Sequence, residues 1–110
     1  MTIKDFDTAV EDLLHRIEVN LKSKADEYAA DHDRLHNFNQ GSRITGESRE
    51  KVLFGFMLKH IISTMDMIED LDKSKMPSQA MLLEKLGDLG TYTVLLHACF
   101  QDRLNNKRPF

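Results

Sequence analysis

Glu84 and Asp88 stand four residues apart in a stretch that reads as the first half of a long helix, so the two carboxylates share one face. Helix-borne carboxylates hold Mg²⁺ through oxygen ligands and waters, and an ion held that way bridges phosphates and activates water. On most amphipathic helices such a pair is only solvated charge. Here the setting differs: Gly87 and Gly90 interrupt the helix, and Val94 to Phe100 is apolar nearly all round. Each Gly costs about 1 kcal/mol against Ala in a helix interior, and close approach of a neighbouring helix is the expected compensation. Glu27 and Asp31 repeat the same spacing near the end of the first helix.

Lys59 lies within the apolar run Phe56–Ile62. It either reaches a phosphate, pairs with Asp66, Glu84 or Asp88, or snorkels at the stripe's edge. Asn37 and Phe38 offer an amide and an aromatic ring that could hydrogen-bond and stack on a base; the plainer reading is a turn-making Asn and a Phe anchor. His60 and His97 read as core or edge histidines. His32 and His36 lack the further Cys or His that a zinc site needs. The lone Cys99, in an apolar run, reads as a small buried hydrophobe. There is no phosphate-binding glycine loop and no nucleophile elbow.

The elements that must position these groups are helical. Phe6, Val10, Leu13, Leu14, Ile17, Leu21, Ala25 and Tyr28 step by three and four from Lys4 to Ala30, with Asp12, Glu18, Asn20, Lys22 and Asp26 opposite. Residues 31–46 are polar and close on Gly41-Ser42, which predicts an ordered loop or short helical turn pinned by Leu35 and Phe38. A second helix follows, capped by Thr45 or Ser48, with an apolar stripe from Val52 to Leu71 wider than one partner helix covers. Pro77 and Ser78 start a third helix running to about Leu104, and 105–110 form a short tail. The expected fold is all-α: three long helices in an antiparallel bundle, the third central, completed by a homodimer or higher oligomer.

The totals agree. The 110 residues suit one domain, with 41% hydrophobic residues and a net charge of −3. No basic patch suggests a nucleic-acid duplex as partner. No run approaches a membrane span, no signal peptide is evident, and one cysteine fits a reducing compartment, so a soluble cytoplasmic protein is expected.

Three blocks in order carry a family resemblance: Lys24-Ala25-Asp26-Glu27-Tyr28-Ala29 with Asp33-Arg34-Leu35-His36-Asn37-Phe38; Lys59 with Asp66; and Glu84 to Leu96. They resemble the small, mostly phage-encoded MazG-like proteins, including those called nucleotide-modification-associated, over residues 13 to 100. The resemblance implies an all-α, oligomeric, NTP pyrophosphohydrolase-like fold in which carboxylates hold Mg²⁺ and an NTP is cleaved to NMP and pyrophosphate. By position, Glu27 stands at the first block's Asp, Asp88 at the last block's Asp and Tyr92 at its Tyr. Thr91 replaces an Asn, no E-E-x-x-E motif occurs, and the later acidic pair is Glu84-x-x-x-Asp88.

Two expectations of function result. In the first, the protein is a Mg²⁺-dependent nucleotide-handling protein of phage or mobile-element origin, acting in the host cytoplasm. Glu27, Asp31, Glu84 and Asp88 bind the metal; Glu84, Asp88 and Lys59 act on the phosphates; Arg34, Asn37, Phe38 and Tyr92 contact the substrate. In the second, it is a non-catalytic helical interaction protein, such as a phage factor that binds and inhibits a host protein, with its acidic surface steering a basic target.

Overall fold

Thr2 opens the first helix: its hydroxyl accepts the Asp5 amide at 3.0 Å, and the chain continues as α1, Ile3–Tyr28. The computed structural model describes residues 1–28, the side chains of 24–28 excepted, and residues 33–106. The short helix α2 spans His36–Thr45. Helix α3 spans Arg49–Asp70 and ends in a 3₁₀ turn, Leu71–Lys73. Helix α4 spans Gln79–Asn106. Among the described residues there is no strand, and no helix is long and apolar enough to cross a membrane.

Among the described residues four α-helices replace the expected three, because α2 occupies much of the segment predicted as an ordered loop or short helical turn. Its polar composition and Gly41-Ser42 read as breakers, yet Gly41 lies inside the helix and lets it sit against α3. A Cβ on Gly41 would come within 2.8 Å of Val52 Cγ1. Leu35 and Phe38 do pin the segment to the core, as expected. One apolar turn is too little to show a helical period.

The long helices begin where local chemistry says they should. Ser48 Oγ accepts the Lys51 amide at 3.2 Å, and Ser78 Oγ accepts the Met81 amide at 3.1 Å. Each satisfies one of the amides that a helix N-terminus leaves without a partner. Ser78 is exposed, so its contribution is the cap alone. Ser78→Ala should cost about 1 kcal/mol in urea denaturation, with an unchanged slope.

Helix α4 is central, with α1 on one side and α3 on the other; among the described residues the backbones of α1 and α3 make no close approach to each other. Arg16 lies against Gly87, Ile17 against Gly90 and Asn20 against Thr91, so α1 and α4 run parallel. His60 faces Asp88 and Glu50 faces Arg103, so α3 and α4 run antiparallel. The three long helices therefore alternate in direction along the chain and form a layer. The two glycines of α4 permit the predicted close approach. A Cβ on Gly87 would lie 2.7 Å from Arg16 Cγ, and one on Gly90 would lie 2.6 Å from Ile17 Cδ1.

The core is small. Leu35, Phe38, Leu53, Tyr92 and Cys99 form it, with Val52, Met57, Leu95, Leu96 and Ala98 packed around them. Leu13, Ile17 and Leu21 of the α1 stripe are half-buried, but Phe6, Val10 and Leu14 are exposed. The first two turns of α1 keep their apolar side chains exposed.

A polar cluster ties α2, α3 and α4 together at one end. Arg103 holds Glu50 with two bonds, Nε to Oε1 at 2.6 Å and Nη2 to Oε2 at 2.8 Å. Arg49 donates to Glu50 Oε1 at 3.2 Å and to the Cys99 carbonyl at 2.8 Å, and pairs with Asp102 Oδ2 at 2.8 Å. Asn39 accepts from Arg49 at 3.4 Å and donates to Asp33 at 3.1 Å.

Candidate functional site

Among the described residues, Asp88 is the predicted acidic residue on which groups from two other helices converge. Its α4 backbone supplies the position, and its side chain is 28% exposed. From α1, Asn20 Nδ2 lies 3.4 Å from Asp88 Oδ1 and 3.2 Å from Thr91 Oγ1. The Thr91 hydroxyl is fully buried and donates to the Gly87 carbonyl at 2.7 Å, so it can accept from Asn20. Arg16 Nε donates to Asn20 Oδ1 at 3.2 Å, which fixes the orientation of the amide. From α3, His60 Nδ1 stands 3.6 Å from Asp88 Oδ2. The His60 ring stacks on Tyr92, with centroids 4.9 Å apart and planes at 24°. One turn away, Lys85 donates to Ser63 across the α3–α4 contact.

This arrangement does two things chemically. It fixes a partly exposed carboxylate between two neighbouring helices, with one oxygen held by an amide and the other facing an imidazole. An imidazole oriented by a carboxylate is a general acid–base or phosphate-binding group. When His60 is protonated, it and Asp88 form an ion pair, and Arg16 and Lys85 add positive charge close by.

Among the described residues, only Tyr92 of the other predicted ones joins this cluster directly, through His60. Glu84 is exposed, one turn before Asp88 on α4. Lys59 is exposed, and among the described residues it forms no ion pair with Asp66, Glu84 or Asp88. Tyr92 is buried against His60, at 4% exposure. Phe38 is fully buried, its ring 5.8 Å from that of Phe56. A ring with no exposed surface offers no face to a base, so the expected stacking role gives way to that of a core anchor. Asn37 is exposed near the start of α2. Arg34 is exposed and lines a pocket of about 440 Å³ with Leu21, Asp33, Leu35, Val94, Leu95, Ala98 and Asp102. Leu95 lies seven residues beyond Asp88, about 10 Å along α4, so the pocket and the Asp88 cluster are separate places on one helix.

Glu27 lies on α1 seven residues beyond Asn20, again about 10 Å along the helix. Its side chain and all of Asp31 lie outside the described residues. Among the described residues, no three His, Cys, Asp or Glu side chains group to hold a metal ion. Mg²⁺ asks for less, since it keeps several waters and is commonly bound by one or two carboxylates together with substrate phosphates. Cys99 is fully buried on the inner face of α4, and burial pushes its thiol up to about 11, so it is inert as a nucleophile.

Sequence reasoning missed Asn20, Arg16 and Ser63. Asn20 reads as part of the polar face of α1, and nothing in its spacing shows that α4 covers it. His60 was legible only as a core or edge histidine; its stacking on Tyr92 depends on two helices meeting. Comparisons with protein-family models, with curated proteins and with solved structures find no match to this chain.

Proposed function

We propose that the face of α4 bearing Glu84 and Asp88 binds a nucleotide through Mg²⁺, as the resemblance to MazG-like proteins suggests. One observation carries the reading: Asp88 stands where α1, α3 and α4 meet, held by Asn20 and facing His60. A carboxylate with an amide from one neighbouring helix on one oxygen and an imidazole from another facing the other is held in a defined position, as a metal-binding or base-orienting group has to be. Glu84 and Asp88 would hold the ion, which when bound would draw the phosphates together and lower the pKa of a water. His60 would orient a phosphate oxygen or move a proton, with Asp88 Oδ2 fixing its ring. Arg16 and Lys85 would add attraction for a polyanion.

The test is thermal melting with Mg²⁺ and a panel of ribo- and deoxyribonucleoside triphosphates, followed by a pyrophosphate-release assay. A ligand that binds the native state raises the melting temperature by mass action, by about 2.7 kcal/mol of stabilisation at one hundred times Kd. At least one triphosphate should produce a shift, and Asp88→Asn should abolish it while leaving the circular dichroism spectrum unchanged. No shift with any triphosphate overturns the reading.

A second reading, a non-catalytic interaction protein, has its own support: Asn20 already donates to Asp88 Oδ1, His60 faces Oδ2 at 3.6 Å, and large apolar side chains line the outside of α3. Turnover lost in a folded Asp88→Asn variant would exclude it.

A further inference from the structure

Helix α3 has two apolar faces, and the chain covers only one. Leu53, His60 and Met67 look inward. Roughly 100° around the helix, Phe54, Leu58, Ile61, Met65 and Ile68 follow at spacings of four, three, four and three. That is the repeat by which one helix packs along another. Ile61 is half-buried; the other four are 45%, 46%, 55% and 58% exposed. The seam is about 21 Å long at 1.5 Å per residue. Gly55 lies beside it with no atom near its Cβ position, in contrast to Gly41, Gly87 and Gly90, each of which admits a neighbour. Within one chain nothing offsets its cost to the helix.

The whole molecule shows the same deficit. A monomer of 12.7 kDa is expected to expose about 6,200 Å², and this chain exposes 8122 Å². Its radius of gyration is 16.2 Å, against about 13 Å expected for a domain of this length. The excess of roughly 1,900 Å² is more than the ~800 Å² that each partner buries in a standard interface. It matches the area per chain of an obligate, core-like contact.

We propose that the Phe54–Ile68 seam of α3 is covered by a second copy of this chain. A layer of three helices with α4 in the middle leaves its flanking helices open, and a second identical layer closes them with side chains of the same kind. An isologous contact needs only one apolar surface, and the seam supplies it. The inference stands independently of nucleotide binding.

Analytical ultracentrifugation of the full chain from 1 to 100 µM tests it. Wild type should sediment at twice the chain mass or an even multiple, and Leu58→Lys/Met65→Lys should sediment as a folded monomer, because both side chains are exposed within one chain. A monomeric wild type overturns the proposal, as does a double variant that keeps the wild-type mass. If the double variant does not fold, Met65→Cys treated with a short bismaleimide decides the matter. A cross-linked product of twice the chain mass supports the proposal, and uncross-linked chain overturns it.

Discussion

Glu50→Gln should lower stability by about 2–3 kcal/mol at neutral pH and flatten the acid sensitivity of the protein. Arg103 grips both carboxylate oxygens, and Arg49 adds a third donor. The Glu50 side chain is only 13% exposed, so these bonds are poorly screened. The Arg103 hydrogen bonds, set against burial, bring the Glu50 carboxyl down to about 2 from its ordinary 4.5. A carboxyl whose folded pKa lies below its unfolded value stabilises the fold above the unfolded value and loses that contribution as pH falls toward the folded one. Glu50 therefore contributes fully above about pH 4.5, and less with each step down to pH 2. The size of the shift corresponds to roughly 3 kcal/mol.

The Gln variant keeps the shape of the side chain but removes the negative charge that Arg103 grips. Arg49 retains Asp102 and the Cys99 carbonyl, so the damage centres on the α3–α4 end contact. Urea denaturation at pH 7 and pH 3 checks this. The gap between wild type and variant should narrow from about 2–3 kcal/mol at pH 7 to about 1 kcal/mol at pH 3. An equal gap at both values would mean that Glu50 acts through packing rather than charge.

This network shows where legibility in the sequence ended. Glu50 reads as a favourable first-turn acid at the start of α3, a local fact. Its partner Arg103 lies 53 residues away on α4, and no periodicity joins them. Features set by neighbours in sequence were readable: Ser48 and Ser78 as caps, Pro77 as a boundary, the glycines of α4 as points of close approach. Features set by which helix lands where were not. Asn20 looks like surface until α4 is placed on α1, and α2 has only one apolar turn to declare itself. The candidate site divides along the same line. The Glu84–Asp88 spacing was visible, while the residues that hold Asp88 come from two other helices. The α3 stripe was visibly too wide for one partner, but the sequence alone does not say which part stays uncovered.

Phe38→Ala should cost roughly 3–5 kcal/mol, the range for emptying a buried aromatic site. Folded domains have only about 5–15 kcal/mol in total, so α2 should loosen from α3 and the melting temperature should fall steeply. Phe38 is fully buried, packs on Phe56 and belongs to the cluster of Leu53, Tyr92 and Cys99. Phe38→Leu keeps most of the volume and should cost no more than about 1.5 kcal/mol. The pair of variants also separates anchoring from recognition. If the ring stacked on a base, Leu would fold normally yet lose any nucleotide-dependent rise in melting temperature, since stacking on an aromatic is worth about 1–3 kcal/mol. A buried anchor predicts the opposite: Phe38→Leu keeps the rise, whereas Asp88→Asn in the same fold loses it. Under the proposed function, that outcome would place recognition at the α1–α3–α4 junction rather than at the start of α2, and loss of the rise in Phe38→Leu alone would reverse that placement.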